Sequence, residues 1–381
     1  MTKPVRALIL SGGGGRGAFH AGVYQYLMSS QKAGVDAAHA GVWKPSIIVG
    51  TSIGAVNGAA IAQGMSAEEL VEVWKHLEED DIQGIPPNMR GAARWIVSRL
   101  FGQIMDAKLP QVKPEEATSP IPAEFWPPLP LVPGWLAERL VGRWINLLDT
   151  GPLKRTLTTR FKFNAEKLAA SDTALLIAAT KIQTGERVLF SNRDVFDHKR
   201  GQARPDVFTG ITRERILASC SIPLVYPWTA DPQTDALYWD GALVANTPLG
   251  AALDLMGGDA GVPAEIVIVM MTPWAEGGQP MHAAPRSFGD AITWILDWML
   301  LASFRENLKT IRAFNELAEH ERNVGKPPYR YRIVKPIIVA PQKFMNAERI
   351  IDYDGDVSET LIGMGMEAAA KAFQGAFGME K

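Results

Sequence analysis

Twice within its first 64 residues the chain passes from a short apolar run, through glycine, into a helical pattern. The first unit is "LILSGGGGRGAFHAG" (8–22) and the second contains "IIVGTSIGAVNG" (47–58). A strand that feeds a helix twice in succession needs crossover connections, and crossovers build parallel strands rather than hairpins. Further β-type runs follow, so the strands read from sequence are Ala7–Leu10, Ser46–Gly50, Ala174–Ile182, Arg187–Ser191, Glu265–Met271 and Tyr331–Val339. The spacing predicts an α/β fold with a mostly parallel sheet. One antiparallel hairpin is expected, at Gln183-Thr184-Gly185-Glu186. Helices are predicted at Gly17–Met28, at Ser52–Gln63 with Gly64 as its C′ residue, and over about 287–322. Ser66 and Glu69 stand three apart as a capping box for a further helix.

Six glycines in the eleven positions 12–22 suit three chemistries. Gly12, Gly14 and Gly17 fit G-x-G-x-x-G, but a dinucleotide site needs a carboxylate at the end of the second strand. That strand runs into Thr51-Ser52, and Asp36 lies ahead of it in an Ala/Gly-rich connection. A nucleoside-triphosphate loop needs Lys-Ser/Thr where Ala18-Phe19 stand. The remaining use is to stabilise an oxyanion with bare backbone amides.

The second unit agrees with that use. Gly50-x-Ser52-x-Gly54 between a strand and a helix is the nucleophile-elbow pattern, whose sharp turn lifts the Ser52 hydroxyl above the sheet end. A serine nucleophile needs a base. The six histidines are His20, His39, His76, His198, His282 and His320, and none follows a strand in a Gly- or Asp-rich loop. His282, in "GGQPMHAAP", is the one tolerable rival. In "YWDGALVANTPL" (238–249), Asp240 ends a short apolar run. Burial beside Tyr238 and Trp239 would raise its carboxyl from the ordinary 3.9 or so and suit it to accept a proton. Gly13, Gly14 and Gly15 are the expected oxyanion donors, with Arg16 anchoring their turn.

In this order, Gly12-Gly13-Gly14-Gly15-Arg16-Gly17, Gly50-Thr51-Ser52-Ile53-Gly54 and Asp240-Gly241-Ala242 resemble the motifs of the patatin-like phospholipases. "LASCSIPLVYPW" (217–228) is similar to the family's Ala-Ser-x-x-x-Pro block, and the closing strand and C-terminal helix are similar to bacterial members. The motifs span residues 7–249. The resemblance implies a three-layer α/β/α sandwich and a Ser52–Asp240 dyad without histidine. It also implies an oxyanion hole from the glycine loop and hydrolysis of lipid acyl esters through an acyl-enzyme, with no cofactor or metal. Rival readings are a lipid-binding scaffold without turnover, a short-chain carboxylesterase or polyester hydrolase, and a nicotinamide enzyme.

Residues 85–148 break the α/β rhythm with ten of the 26 prolines and four of the 11 tryptophans. Around "FWPPLPLVPGW" (125–135) two amphipathic segments read as a helical insertion packed on the sheet, or as a lid facing lipid. The whole chain, 1–381, is expected to form one catalytic domain with a helical and strand extension over about 280–381. A formal charge of −2 gives no reason to expect nucleic acid. The lone Cys220 excludes an internal disulfide and fits a reducing compartment. No apolar run reaches a membrane span, and the nearest, Ile292 to Phe304, is interrupted by Asp297. The expectation is a cytoplasmic protein whose partners are a lipid or ester substrate and, peripherally, a membrane, droplet or granule surface. Basic clusters in "HKRGQARPD" and "TRER" read as solvated loops. "DYDGDVSETLIG" (352–363) lacks the glycine and glutamate of a calcium loop, and Asp356 or Ser358 is expected to cap the last helix.

Overall fold

The computed structural model describes residues 4–29, 42–84, 148–197, 200–257, 264–274, 288–324, 334–342, 345 and 353–378. Both glycine units fold as the sequence requires. Strand β1 (Val5–Leu10) leads through a short 3₁₀ turn, Gly14–Gly17, into α1 (Ala18–Met28). Strand β2 (Ile47–Thr51) leads through Ser52 into α2 (Ile53–Ala62), which ends one residue ahead of Gln63 with Gly64 at φ 95°. Then come α3 (Ala67–Lys75), with the Ser66–Glu69 capping box formed, and α4 (Glu79–Ile82). Past the Pro/Trp-rich stretch, whose residues 85–147 lie outside those described, follow α5 (Gly151–Thr159) and α6 (Ala165–Ala169).

Two strands pair next as the expected hairpin, β3 (Ala174–Lys181) and β4 (Arg187–Ser191). The chain continues with β5 (Val207–Thr209), α7 (Arg213–Ser219), β6 (Thr229–Asp231) and β7 (Ala236–Asp240). It closes with α8 (Gly250–Met256), β8 (Ala264–Val269), α9 (Phe288–Asn323), β9 (Ile337–Val339) and α10 (Gly355–Gly378).

The sheet runs β5-β4-β3-β2-β1-β8-β9, with β7 added on β3 and β6 on β7. The β1–β2, β2–β3, β1–β8, β8–β9 and β4–β5 pairs are parallel. Side chains alternate across a strand, and the two faces are covered separately. Leu8, Leu10, Ile48, Leu175 and Ile177 pack with α1, α2, α3 and α10. Ala7, Ile9, Ile47, Val49 and Leu176 pack with α8 and α9. This is the three-layer arrangement expected, a mixed sheet that is mostly parallel.

Some boundaries differ from the sequence reading. Strand β9 is confined to Ile337–Val339, where Val267–Val269 offers a parallel partner, while Val334–Pro336 is not strand. Strands β5, β6 and β7 are not among the strands predicted from sequence; the first two have three residues each and exist by pairing with a neighbour. The cap of α10 is Asp354, whose Oδ1 accepts from the Asp356 N–H at 2.8 Å, so neither Asp356 nor Ser358 holds that position.

Helix α10 lies on α1 at unusually short range. A β-carbon on Gly22 would collide with the Ile362 carbonyl, and one on Gly365 with the Phe19 carbonyl. Alanine at Gly22 would gain about 1 kcal/mol of helix propensity, but a backbone collision offers no rotamer to relieve it. Gly22→Ala is therefore expected to be net destabilising by about 1–3 kcal/mol, read as a lowered urea midpoint at unchanged slope.

Candidate active site

Register places the site. Strand β4 occupies one edge of β3 over Leu176–Thr180, so β2 and β7 share the other edge. Strand β2 runs parallel to β3 and ends with Thr51 opposite Ala178; β7 runs antiparallel and ends with Asp240 opposite Ala179. The C-terminal ends of β2 and β7 therefore meet head-on beside adjacent residues of β3. Ser52, one residue beyond β2, and Asp240 arrive at one point from opposite directions.

Ser52 sits at φ 55°, ψ −127°, a backbone region that a side chain occupies only under strain. The flanking glycines allow it: a β-carbon at Gly50 would strike the Gly54 carbonyl, and one at Gly54 would strike that of Leu10. A serine ahead of a helix ordinarily turns its hydroxyl back to cap the first amides, but Ser52 makes no such bond. Its hydroxyl lies beside the Asp240 carboxyl instead and holds that group's pKa down. The backbone of the elbow is held from below, since the Ser52 N–H donates to Ser219 Oγ at 2.8 Å and that hydroxyl donates to the Ala178 carbonyl at 2.6 Å. Ser219 ends α7, which Arg215 fixes through a 3.0 Å ion pair to Asp231 and bonds to the Thr209 and Gly210 carbonyls.

Asp240 is 3% exposed and Ser52 4%. Burial pushes the Asp240 carboxyl up from 3.8 to about 7, against the opposing pull of hydrogen bonds from the Ser52 hydroxyl and the Ala242 N–H. The latter is 2.7 Å from Oδ1. A hydroxyl beside a carboxyl poised near neutrality is the pairing that general-base proton transfer needs. Gly241 follows directly, passing against the Ala178 carbonyl where a β-carbon would collide.

The glycine loop touches the same point. A β-carbon on Gly12 would stand 3.0 Å from Ser52 Cβ. Three braces fix the loop. Asn246 Oδ1 accepts from the Gly12 N–H at 2.6 Å, and Asn57 Nδ2 donates to the Gly17 carbonyl at 3.0 Å. Arg16 donates to Asp297 Oδ1 at 2.8 Å and to the Met345 carbonyl at 2.9 Å. The N–H groups of Gly13, Gly14 and Gly15 meet no acceptor among the described residues. Unpaired amides beside a hydroxyl are what a developing oxyanion would use.

Ser52, Asp240, Gly50, Gly54, Gly241 and the Gly12–Gly17 loop thus stand together at one point. His282, the rival base, and Asp36, the rival ribose carboxylate, lie outside the described residues. His20 is buried under the α1–α2 face, its Nδ1 3.3 Å from Asn57 Nδ2, and burial lowers it to about 3, so it is neutral at physiological pH. Cys220 is buried, and burial followed by the neighbouring Asp240 charge pushes its thiol up, away from thiolate chemistry. Sequence reasoning gave no role to Ser219, the serine of the Ala-Ser-x-x-x-Pro block, nor to Asn246 or Asn57. Among the described residues no cluster of His, Cys, Asp or Glu could hold a metal ion, and no helix is long and apolar enough to cross a membrane.

A profile described as Patatin: Patatin-like phospholipase matches residues 8–253. No curated protein matches the chain significantly. Among solved structures the chain is similar to VipD from Legionella pneumophila, at 10% identity and a TM-score of 0.42, over 98% of this chain and 67% of that one. It is also similar to the type III effector ExoU, at 12% and 0.34, over 98% and 54%. A third is human GIVD cytosolic phospholipase A2 in complex with a methyl gamma-linolenyl fluorophosphonate inhibitor, at 12% and 0.38, over 98% and 58%. The chain thus spans about half to two thirds of the length of these proteins.

Proposed function

The chain belongs to the patatin-like phospholipase family, and from that membership we propose that it is a serine hydrolase of lipid acyl esters. The observation that carries the reading is the meeting of Ser52, the buried Asp240 and the glycine loop where the ends of β2 and β7 converge beside β3. Ser52 Oγ attacks the ester carbonyl carbon while Asp240 takes its proton. The amides of Gly13, Gly14 and Gly15 hold the oxyanion; each such donor contributes about 2.7–4 kcal/mol to the transition state in known cases. Collapse breaks the ester C–O bond and expels the alcohol, to which Asp240 returns the proton, leaving the acyl group on Ser52. Asp240 then deprotonates a water that attacks the acyl carbon; the second collapse breaks the acyl–Oγ bond, Asp240 returns that proton to Ser52 Oγ, and the fatty acid departs. No step calls on a cofactor.

Because Asp240 must be ionised to accept the proton, activity is lost as pH falls through its pKa. The acid limb of kcat/KM against pH is expected to bend at about 7, well above an ordinary aspartate. The test of the reading is turnover of p-nitrophenyl esters of rising chain length, with and without phospholipid vesicles. Hydrolysis of the longer esters or of the vesicle lipid supports it. No turnover of any ester by folded protein overturns it, and thermal stabilisation by NAD(H) would point to the nicotinamide alternative.

A further inference from the structure

Helix α9 lies beyond the family match, which ends at residue 253, yet it contacts both loops of the site along one face. Asp297 meets Arg16. Three residues on, the Leu300 carbonyl accepts from Asn246 Nδ2 at 3.3 Å. Three further, Ser303 Oγ accepts from the Asn246 N–H at 3.1 Å. One turn later, Asn307 Nδ2 donates to the Thr247 carbonyl at 2.7 Å. Steps of three and four keep these residues on one helical face. Asn246 in turn binds the Gly12 N–H, so α9 grips the glycine loop at both ends: at Gly12 through Asn246, and at Arg16 directly.

The Arg16–Asp297 pair is the stronger grip. Both side chains are 0% exposed, and a charge-assisted bond at this depth is hard to exchange for water. Arg16 directly follows Gly15, the last of the three proposed oxyanion donors. A guanidinium held at one end by Asp297 and at the other by the Met345 carbonyl leaves the Gly13–Gly15 peptides little freedom to rotate. Thr272, one residue past the Met271 that packs under Gly13, also reaches Asp297 Oδ1, at 3.5 Å.

We propose that Asp297 is a positioning residue for the oxyanion hole, acting through Arg16 to aim the Gly13–Gly15 amides at the ester carbonyl above Ser52. The proposal rests on the serine-hydrolase reading. It assigns part of the catalytic geometry to the helical extension rather than to the segment that carries the family motifs.

The test uses the full chain. A fluorophosphonate taken to its endpoint counts competent Ser52 sites, and hydrolysis of a soluble p-nitrophenyl ester is then expressed per labelled site. Asp297→Asn is expected to lower kcat per site by about 10²-fold, the scale of an ångström-sized misplacement, with KM within about threefold of wild type. Because that variant leaves a buried arginine unpaired, it risks not folding. The double variant Arg16→Met/Asp297→Leu removes both charges at similar volume and decides the matter if the single one fails. It is expected to melt near the wild-type temperature yet remain slow per site. Wild-type kcat per site in either variant overturns the proposal and leaves a merely structural ion pair. Wild-type protein that takes no label defeats the Ser52 reading itself, a distinguishable failure.

Discussion

Asp240→Asn protein is expected to lose ester hydrolysis by about 10²–10⁴-fold, the usual contribution of a general base, while melting at a higher temperature than wild type at pH 8. The two effects have one cause. The folded protein keeps the Asp240 proton up to about pH 7, whereas the unfolded chain releases it near 3.8. Between those values the native state binds the extra proton, so native stability falls as pH rises through that window and levels off above it. A carboxyl displaced that far costs the native state roughly 4 kcal/mol at alkaline pH. Asparagine fits the same place without the charge: its oxygen can accept from the Ala242 N–H, and its amide can face the Ser52 hydroxyl. The stability gain should therefore vanish near pH 4 and reach its full size above pH 7. Thermal melts of both proteins across pH 4 to 9 measure it directly.

Replacing Ser52 is expected to abolish turnover entirely, and the choice of replacement reads the elbow's strain. Ser52→Ala removes the hydroxyl but keeps a β-carbon at φ 55°. Ser52→Gly removes both. At such a φ a side chain costs on the order of 1–3 kcal/mol, so the glycine variant should be more stable than the alanine variant by about that amount. Both should be devoid of esterase activity. Equal stability of the two variants would mean that the elbow stores no strain.

Much of the site was legible because its constraints are local. The elbow needs a small residue on either side of Ser52, and Gly50 and Gly54 announce it. The Ser66–Glu69 capping box and the β3–β4 hairpin were likewise readable, since each is specified by residues a few positions apart. The braces were not legible, because each joins residues far apart. Ser219 lies 167 positions from Ser52, and Asn246 lies 234 from Gly12. Asp297 entered the sequence reading only as a charge interrupting an apolar run. A single carboxylate in such a run signals a buried partner, but nothing nearby in sequence names Arg16, 281 positions away. Strand β7 was hidden for a related reason: five residues gain their extended form from pairing with β3 and β6.

On the proposed reading, two features distinguish the site from a triad. Among the described residues the buried histidine, His20, is held neutral by desolvation and bonds Asn57 rather than the serine. In the proposed dyad Asp240 takes a histidine's part, its carboxyl raised by burial toward the range in which an imidazole works. The orientation a third residue supplies in a triad would there come from the backbone: the Ala242 N–H on Oδ1 and the Ser221 carbonyl, which accepts from the Asp240 N–H at 2.8 Å.

The most direct measurement is the site and pH dependence of phosphonylation by a fluorophosphonate ester, read by peptide mass spectrometry. The account predicts one adduct, on Ser52, forming at a rate that climbs with pH through about 7 and collapses in Asp240→Asn. An adduct on any other residue, or undiminished labelling of Ser52 once Asp240 is an amide, would contradict it.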